Sequence, residues 1–209
     1  MRDFSPAFRS ELEDLMTWRR DVRRFRTDPV DEALLARCLD AFSFAPSVGL
    51  SEPWRILRVT SNAARAKALD NYKTANAAAL SQQSEDKQDS YAQLKLSGMQ
   101  EAPVQLAIFC DEHTTKGHGL GAASMPEMRR YSVVSAITLF WLKARAEGVG
   151  VGWVSILDAD QLCRDLDIDP AWRLVGYLCV GYPEADNAAP ELEQLGWEMR
   201  AEALNIHEV

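Results

Sequence analysis

The chain has 209 residues, 47% of them hydrophobic, and a formal net charge of -8, which suits one folded domain and excludes a disordered chain. The acidic balance argues against a general nucleic-acid or anionic-membrane binder, and no apolar run approaches the ~18 residues that span a bilayer. Four scattered cysteines (Cys38, Cys110, Cys163, Cys179) form no CxxC pair, so buried thiols are expected, not a disulfide framework or a zinc site.

In chain order, the first segment, "MRDFSPAFRSELEDLM", lacks the apolar core of a signal peptide, so a soluble cytoplasmic protein is expected. Within it Ser5-Pro6 is a cap followed by proline at the first helical position. "DEALLARCLDAFSFA" puts Leu34, Leu35, Cys38, Leu39 and Phe42 on one helical face. After the turn residues of "APSVGLSEP", "WRILRV" alternates like a strand. An alanine-rich helix capped by Ser61 follows, then a polar stretch and a second helix ending near Ala102-Pro103. "VQLAIFCD" predicts a buried strand ending at Asp111, and "EHTTKGHGLGAASMPE" a long loop of a length more often functional than idle.

"EMRRYSVVSAITLFWLKARAEG" is the strongest predicted helix, apolar almost all round and stopped by Gly148. It must be buried in the core or against a second subunit. "VGVGWVSIL", a short helix "ADQLCRDL" and the strand "WRLVGYLCVGYP" complete the regular part. No linker or repeat interrupts residues 1–209, so a single domain is expected. From about residue 184 the chain becomes a polar arm anchored by Leu195 and Trp197, which suits an arm lying across a partner. The glycines of "GVGVGW" fall inside a strand, not before a helix, so a dinucleotide-binding fold is not indicated.

The densest chemistry is "RRDVRRF". Arg19, Arg20 and Arg23 can converge on a phosphate, because guanidinium forks match its oxygens in charge and shape. The alternative is a solvated face paired to Glu11, Glu13 or Asp14. Asp21, inside the cluster, is either a base or merely an orienting partner for the arginines. Their charge should lower its pKa unless burial offsets it. His113 and His118 with Asp111 and Glu112 lack the spacing of a metal site. Met125, Met128 and Tyr131 either line a pocket or join the core.

"RRDVRRF" followed by "APSVGLSEPWRI" and later "GVGVGWVSIL" resembles the nitroreductase-like flavin family. Taken in order, "RRDVRRF", "MPEMRRYSVVSAI", "GVGVGWVSILD" and "GYLCVGYPE" resemble the flavin-destroying branch of that family, which makes 5,6-dimethylbenzimidazole. The resemblance implies an α+β, nitroreductase-like FMN-binding fold with a mixed central sheet flanked by helices, in an intertwined homodimer with flavin at the interface. It further implies that reduced FMN is both the bound flavin and the substrate, that O2 is co-substrate, and that a separate flavin reductase is a possible partner. Nucleic acid, membrane and metal are not implied.

By the same resemblance Arg19, Arg20 and Arg23 hold the phosphate together with Arg200 of the tail, and Val22 lies in the same segment. Ser47, Ser51 and Leu96 contact the flavin, and the backbone at Val154 passes its N5 edge. The ordinary family pattern has serine where this chain has Asp21, asparagine and glutamine where it has Leu50 and Glu52, and often an acid where it has Ser155. These departures weaken the tuning of hydride transfer and supply a base, Asp21, with Ser155 to hold a flavin peroxide or a ring atom. The implied activity is oxygen-dependent fragmentation of reduced FMN to 5,6-dimethylbenzimidazole and a four-carbon sugar phosphate. An NAD(P)H-dependent nitroreductase or flavin reductase and a non-enzymatic FMN-binding protein are the alternatives.

Overall fold

The computed structural model describes residues 2–84, 87, 91, 97–187 and 189–209. Helix α1 (Pro6–Trp18) starts where the Ser5 hydroxyl accepts the Phe8 amide, as its cap-and-proline signature requires. Asp31 caps α2 (Glu32–Leu39), which runs into a 3-10 turn at Asp40–Phe44. Then follow β1 (Trp54–Arg58), α3 (Asn62–Ser81, capped by Ser61), the short α4 (Gly98–Glu101) and β2 (Val104–Asp111). The long helix α5 (Met128–Ala146), β3 (Gly150–Val154), α6 (Ala159–Asp165), β4 (Trp172–Gly181) and the short α7 (Glu191–Gln194) complete the order.

The four strands form one sheet in the order β1-β2-β4-β3, with every neighbouring pair antiparallel. β2 is buried from Val104 to Cys110, and its side chains alternate between two cores as the two-residue strand period demands. Leu106, Ile108 and Cys110 face the layer of α2 and α5. Ala107 and Phe109 face the layer of α3, α4 and α6. The parallel component expected of a mixed sheet is confined, among the described residues, to one bridge between Asp21 and Val151.

That bridge places residues 19–25 as a strap along the free edge of β3. Val22 donates its amide to the Val151 carbonyl at 3.0 Å, and Phe25, 1% exposed, plugs the strap into the core against Gly98 and Gly181. Gly150 and Gly152 of "GVGVGW" owe their place to this contact, both lying against Val22. A Cβ on Gly152 would stand 2.1 Å from the Val22 carbonyl oxygen, so only glycine admits the strap.

α5 buries Val133, Ala136, Ile137 and Phe140 and leaves Tyr131 and Val134 exposed. α1 buries nothing. Phe8, Leu12 and Met16, spaced by four, form an exposed apolar stripe continued by Phe4. In the tail, Trp197 does not reach outward. Its ring packs on Tyr91 and under the Lys87 ammonium of the same chain, where cation and aromatic face attract. Among the described residues no helix is long and apolar enough to cross a membrane.

Candidate functional site

Beside β3 the strap presents its charges. The Trp153 amide lies on the unpaired edge of the sheet, where a donor needs an acceptor. The Asp21 carboxylate supplies it at 2.8 Å. Arg23 Nε stands 3.8 Å from the Asp21 carboxylate and 3.9 Å from that of Glu191. Arg23 Nη1 is buried with no hydrogen-bond partner among the described residues. An unpaired buried N–H costs roughly 1–3 kcal/mol, and an acidic oxygen such as a phosphate's is the acceptor that fits a guanidinium.

For Asp21 burial does offset the arginines: their charge lowers its pKa, yet the pKa is raised. Desolvation is the largest cause and outweighs the opposing Trp153 N–H and the charges of Arg23 and Arg19, while Glu191 adds to the rise. The side chain keeps 38% exposure at one edge, so it is only partly dehydrated and stays within reach of a ligand. A carboxylate whose pKa is raised toward neutrality is a stronger base than a free aspartate.

The other arginines extend the positive zone. The Arg19 guanidinium lies 4.9 Å over the Trp141 ring, and Trp141 Nε1 donates to the Arg20 carbonyl at 3.1 Å. Arg20 donates to the Asn187 carbonyl. Its pKa is lowered by burial and by the charges of Arg19, Arg200 and Arg145, which puts those four cations in one neighbourhood. Arg200, from the tail, also pairs with Glu193 at 2.6 Å. Arg24 turns to Glu191 at 2.8 Å. Val22 is the backbone link between Asp21 and Arg23, its side chain against Gly150. Val154 is 2% exposed at the end of β3, and Ser155 follows it with an exposed side chain.

A second group of expected residues lies elsewhere on the chain. In the turn 47–52, Gly49, Leu50 and Glu52 take φ of 58°, 56° and 43°, a left-handed path that is costly for leucine and glutamate. Ser47 Oγ accepts the Glu52 amide at 3.1 Å, and Glu52 pairs with Lys116 of the long loop. Ser51 is 3% exposed, and its hydroxyl has no partner among the described residues. The Val48 amide donates to Ser132 Oγ at 3.0 Å, which docks this turn on the first half of α5.

Trp141, which carries the strap, sits about 13 Å further along the α5 axis and roughly half a turn round it. The turn and the strap therefore meet α5 at separate places, the turn at Ser132 and the strap at Trp141. Leu96 lies outside the described residues. Met125 and Tyr131 are exposed and do not join the core. No group of three or more His, Cys, Asp or Glu residues among those described could hold a metal ion.

Glu191, Trp141 and the Trp153 amide are absent from the sequence-based set. Each reaches the strap from more than a hundred positions away, with no local motif to mark it. The one sequence signal available is charge: four strap arginines need counter-ions, and the tail is acidic.

Comparison with known proteins adds family and relatives. The model of the Nitroreductase family matches residues 16–182. A curated 5,6-dimethylbenzimidazole synthase of Rhodospirillum rubrum is 55% identical over 94% of this chain and 93% of its own. Among solved structures, an iodotyrosine deiodinase bound to FMN and 3-iodo-L-tyrosine superposes with a TM-score of 0.76 at 20% identity, covering 95% of this chain and 99% of that one. A BluB-like flavoprotein from Clostridium difficile 630 superposes with a TM-score of 0.67, also at 20% identity, over 88% and 96%. At such identities these structures bear on fold alone.

Proposed function

The chain belongs to the nitroreductase family, and from that premise we propose that it consumes reduced FMN and O2 to make 5,6-dimethylbenzimidazole. Bound reduced FMN supplies the oxygen-reactive ring and the carbon skeleton of the product, and the ribityl remainder leaves as a four-carbon sugar phosphate. The observation that carries the reading is the Asp21 carboxylate, fixed on the Trp153 amide among arginines and raised in pKa by burial. It stands where the ordinary family pattern has serine. The high identity to a curated synthase of this product supports it.

Each residue then has a task. Arg19, Arg20 and Arg23 bind the phosphate, with Arg200 closing from the tail. Arg23 Nη1, buried and unpaired among the described residues, has the acceptor it lacks once a phosphate oxygen is there. Asp21 takes a proton from the ribityl side, for which a carboxylate of raised pKa is suited. The Ser155 hydroxyl orients oxygen or a ring nitrogen, being able to donate and accept, and the Val154 backbone borders the ring.

Ser47 and Ser51 reach the flavin from a second copy of the chain, so the working unit is a homodimer of single-domain subunits. The exposed apolar stripe of Phe4, Phe8, Leu12 and Met16 supports that assembly, since exposed apolar patches of this kind mark contact surfaces. The protein works in the cytoplasm, and electrons come from a separate flavin reductase.

The test is to mix the protein with FMN and a chemical reductant in air and analyse the small molecules. Appearance of 5,6-dimethylbenzimidazole with matching loss of FMN is expected. Inert bound FMN, or, with NAD(P)H in place of the chemical reductant, rapid NAD(P)H oxidation with the flavin intact, contradicts the proposal.

A further inference from the structure

We propose that Glu191 is a positioning residue for Asp21: by sharing the Arg23 guanidinium it holds that cation away from the Asp21 carboxylate and keeps the carboxylate available as a base. The inference rests on the role given to Asp21 above and concerns a tail residue with no part in binding or chemistry so far.

The geometry is a divided cation. Arg23 Nε stands almost midway between two carboxylates, 3.8 Å from Asp21 and 3.9 Å from Glu191. Both distances exceed the ~2.7–2.9 Å of a committed charge-assisted hydrogen bond. Glu191 is kept in place from its other side by Arg24, whose Nη2 lies 2.8 Å from Oε1, and it is half-buried at 22% exposure. Arg24 thereby gains a purpose: it anchors the residue that restrains Arg23.

Several elements around Asp21 contribute to its balance. From the strap come Arg19 and Arg23, from β3 the Trp153 N–H and from α7 Glu191, while on β4 the Cys179 thiol is pushed up by burial and then by the charge of Asp21. Burial and Glu191 push the Asp21 pKa up, while the amide and the two arginines pull it down. If Glu191 loses its charge, Arg23 has one carboxylate left and closes on it. Asp21 is then stabilised as the anion and becomes a weaker base. If Arg24 is removed, Glu191 is free to take more of Arg23, and the effect on Asp21 has the opposite sign.

The experiment follows the carboxyl carbon of Asp21 by 13C NMR through a pH titration of the full chain without flavin. Wild type is compared with Glu191→Gln, Arg24→Gln and the charge-preserving Glu191→Asp. The Asp21 midpoint is expected to fall in Glu191→Gln, rise in Arg24→Gln, and return toward wild type in Glu191→Asp. With saturating reduced FMN, Glu191→Gln should lower the benzimidazole-forming rate plateau by about 2–5-fold, as a weakened general base does, and move its acid limb to lower pH. An unchanged midpoint in Glu191→Gln, or a shift of the same sign in Arg24→Gln, overturns the inference. A midpoint that moves as expected while turnover stays constant upholds the coupling and removes Asp21 from the chemistry, so the two failures are distinct.

Discussion

The strap of residues 19–25 and the turn of residues 47–52 are held to the same helix by different means. Beyond its backbone bond from Val22 to Val151, the strap is tied down through side chains. Trp141 carries Arg19 on its ring and the Arg20 carbonyl on its N–H, Phe25 plugs the core, and Glu191 of the tail stands against Arg23 and Arg24. The turn is held largely through its backbone, with three positive φ angles in four residues. There Gly49 and Gly117 approach so closely that a Cβ on either would clash. The difference is one of function. On the proposed reading the strap has to keep like charges together before any phosphate arrives, which takes counter-ions from distant parts of the chain. The turn has only to present a small surface, and the hydroxyl it buries at Ser51 has no partner among the described residues.

Breaking the strap at Asp21 should have the largest effect. Asp21→Asn preserves shape and the acceptor for the Trp153 amide but abolishes the base. FMN should still bind, while benzimidazole formation falls by at least ~100-fold, the low end for a lost general base. Weaker FMN binding with normal turnover at saturation would instead make Asp21 an orienting partner for the arginines. Next comes Arg23→Ala, which should weaken FMN by about 1.5–3 kcal/mol, the usual worth of a hydrogen bond to a charged group, read by flavin titration. Arg24→Ala should do much less. Equal small losses in the two would mark the cluster as a solvated face.

How much of this was readable in the chain follows the same division. α1, α3 and α5 are marked by caps, by alanine and by a glycine stop, and the structure has them where those signals lie. The strap was readable because its residues are contiguous. Its support was not, because Trp141, Trp153 and Glu191 meet it only after folding. The pKa of Asp21 is the clearest case. Local charge argues for a fall, whereas the rise comes from desolvation by elements remote in sequence. Trp197 likewise reads as an outward anchor, yet it docks on this chain's own Lys87 and Tyr91.

Smaller effects sharpen the contrast. Ser51→Ala should cost FMN affinity about 0.5–1.5 kcal/mol, a typical net hydrogen bond. It should leave thermal stability essentially unchanged, since the lost hydroxyl has no partner among the described residues. A drop in melting temperature without loss of affinity would make Ser51 a purely structural residue. Asp21 should also trade stability for function. With a folded-state pKa above its unfolded value, its contribution to stability is present below the unfolded pKa and lost as pH rises through the folded one. Asp21→Asn should therefore melt higher than wild type at pH 7, and the gap should close on acidification. A lower melting point at pH 7 contradicts the raised pKa.

The central claim is that one flavin site is built from the strap of one chain and the turn of another, and complementation tests it most directly. Asp21→Asn disables the strap half. Leu50→Glu, at a residue 70% exposed in the turn, puts a charge where the proposal has the ring border and should disable the other half without disturbing the core. Each variant alone should make almost no benzimidazole. Refolded together in equal amounts, half the two-fold dimers are mixed and each mixed dimer carries one intact site, so activity should recover to roughly a quarter of wild type. No recovery in a mixture shown by mass to contain mixed dimers would place the whole site within a single chain.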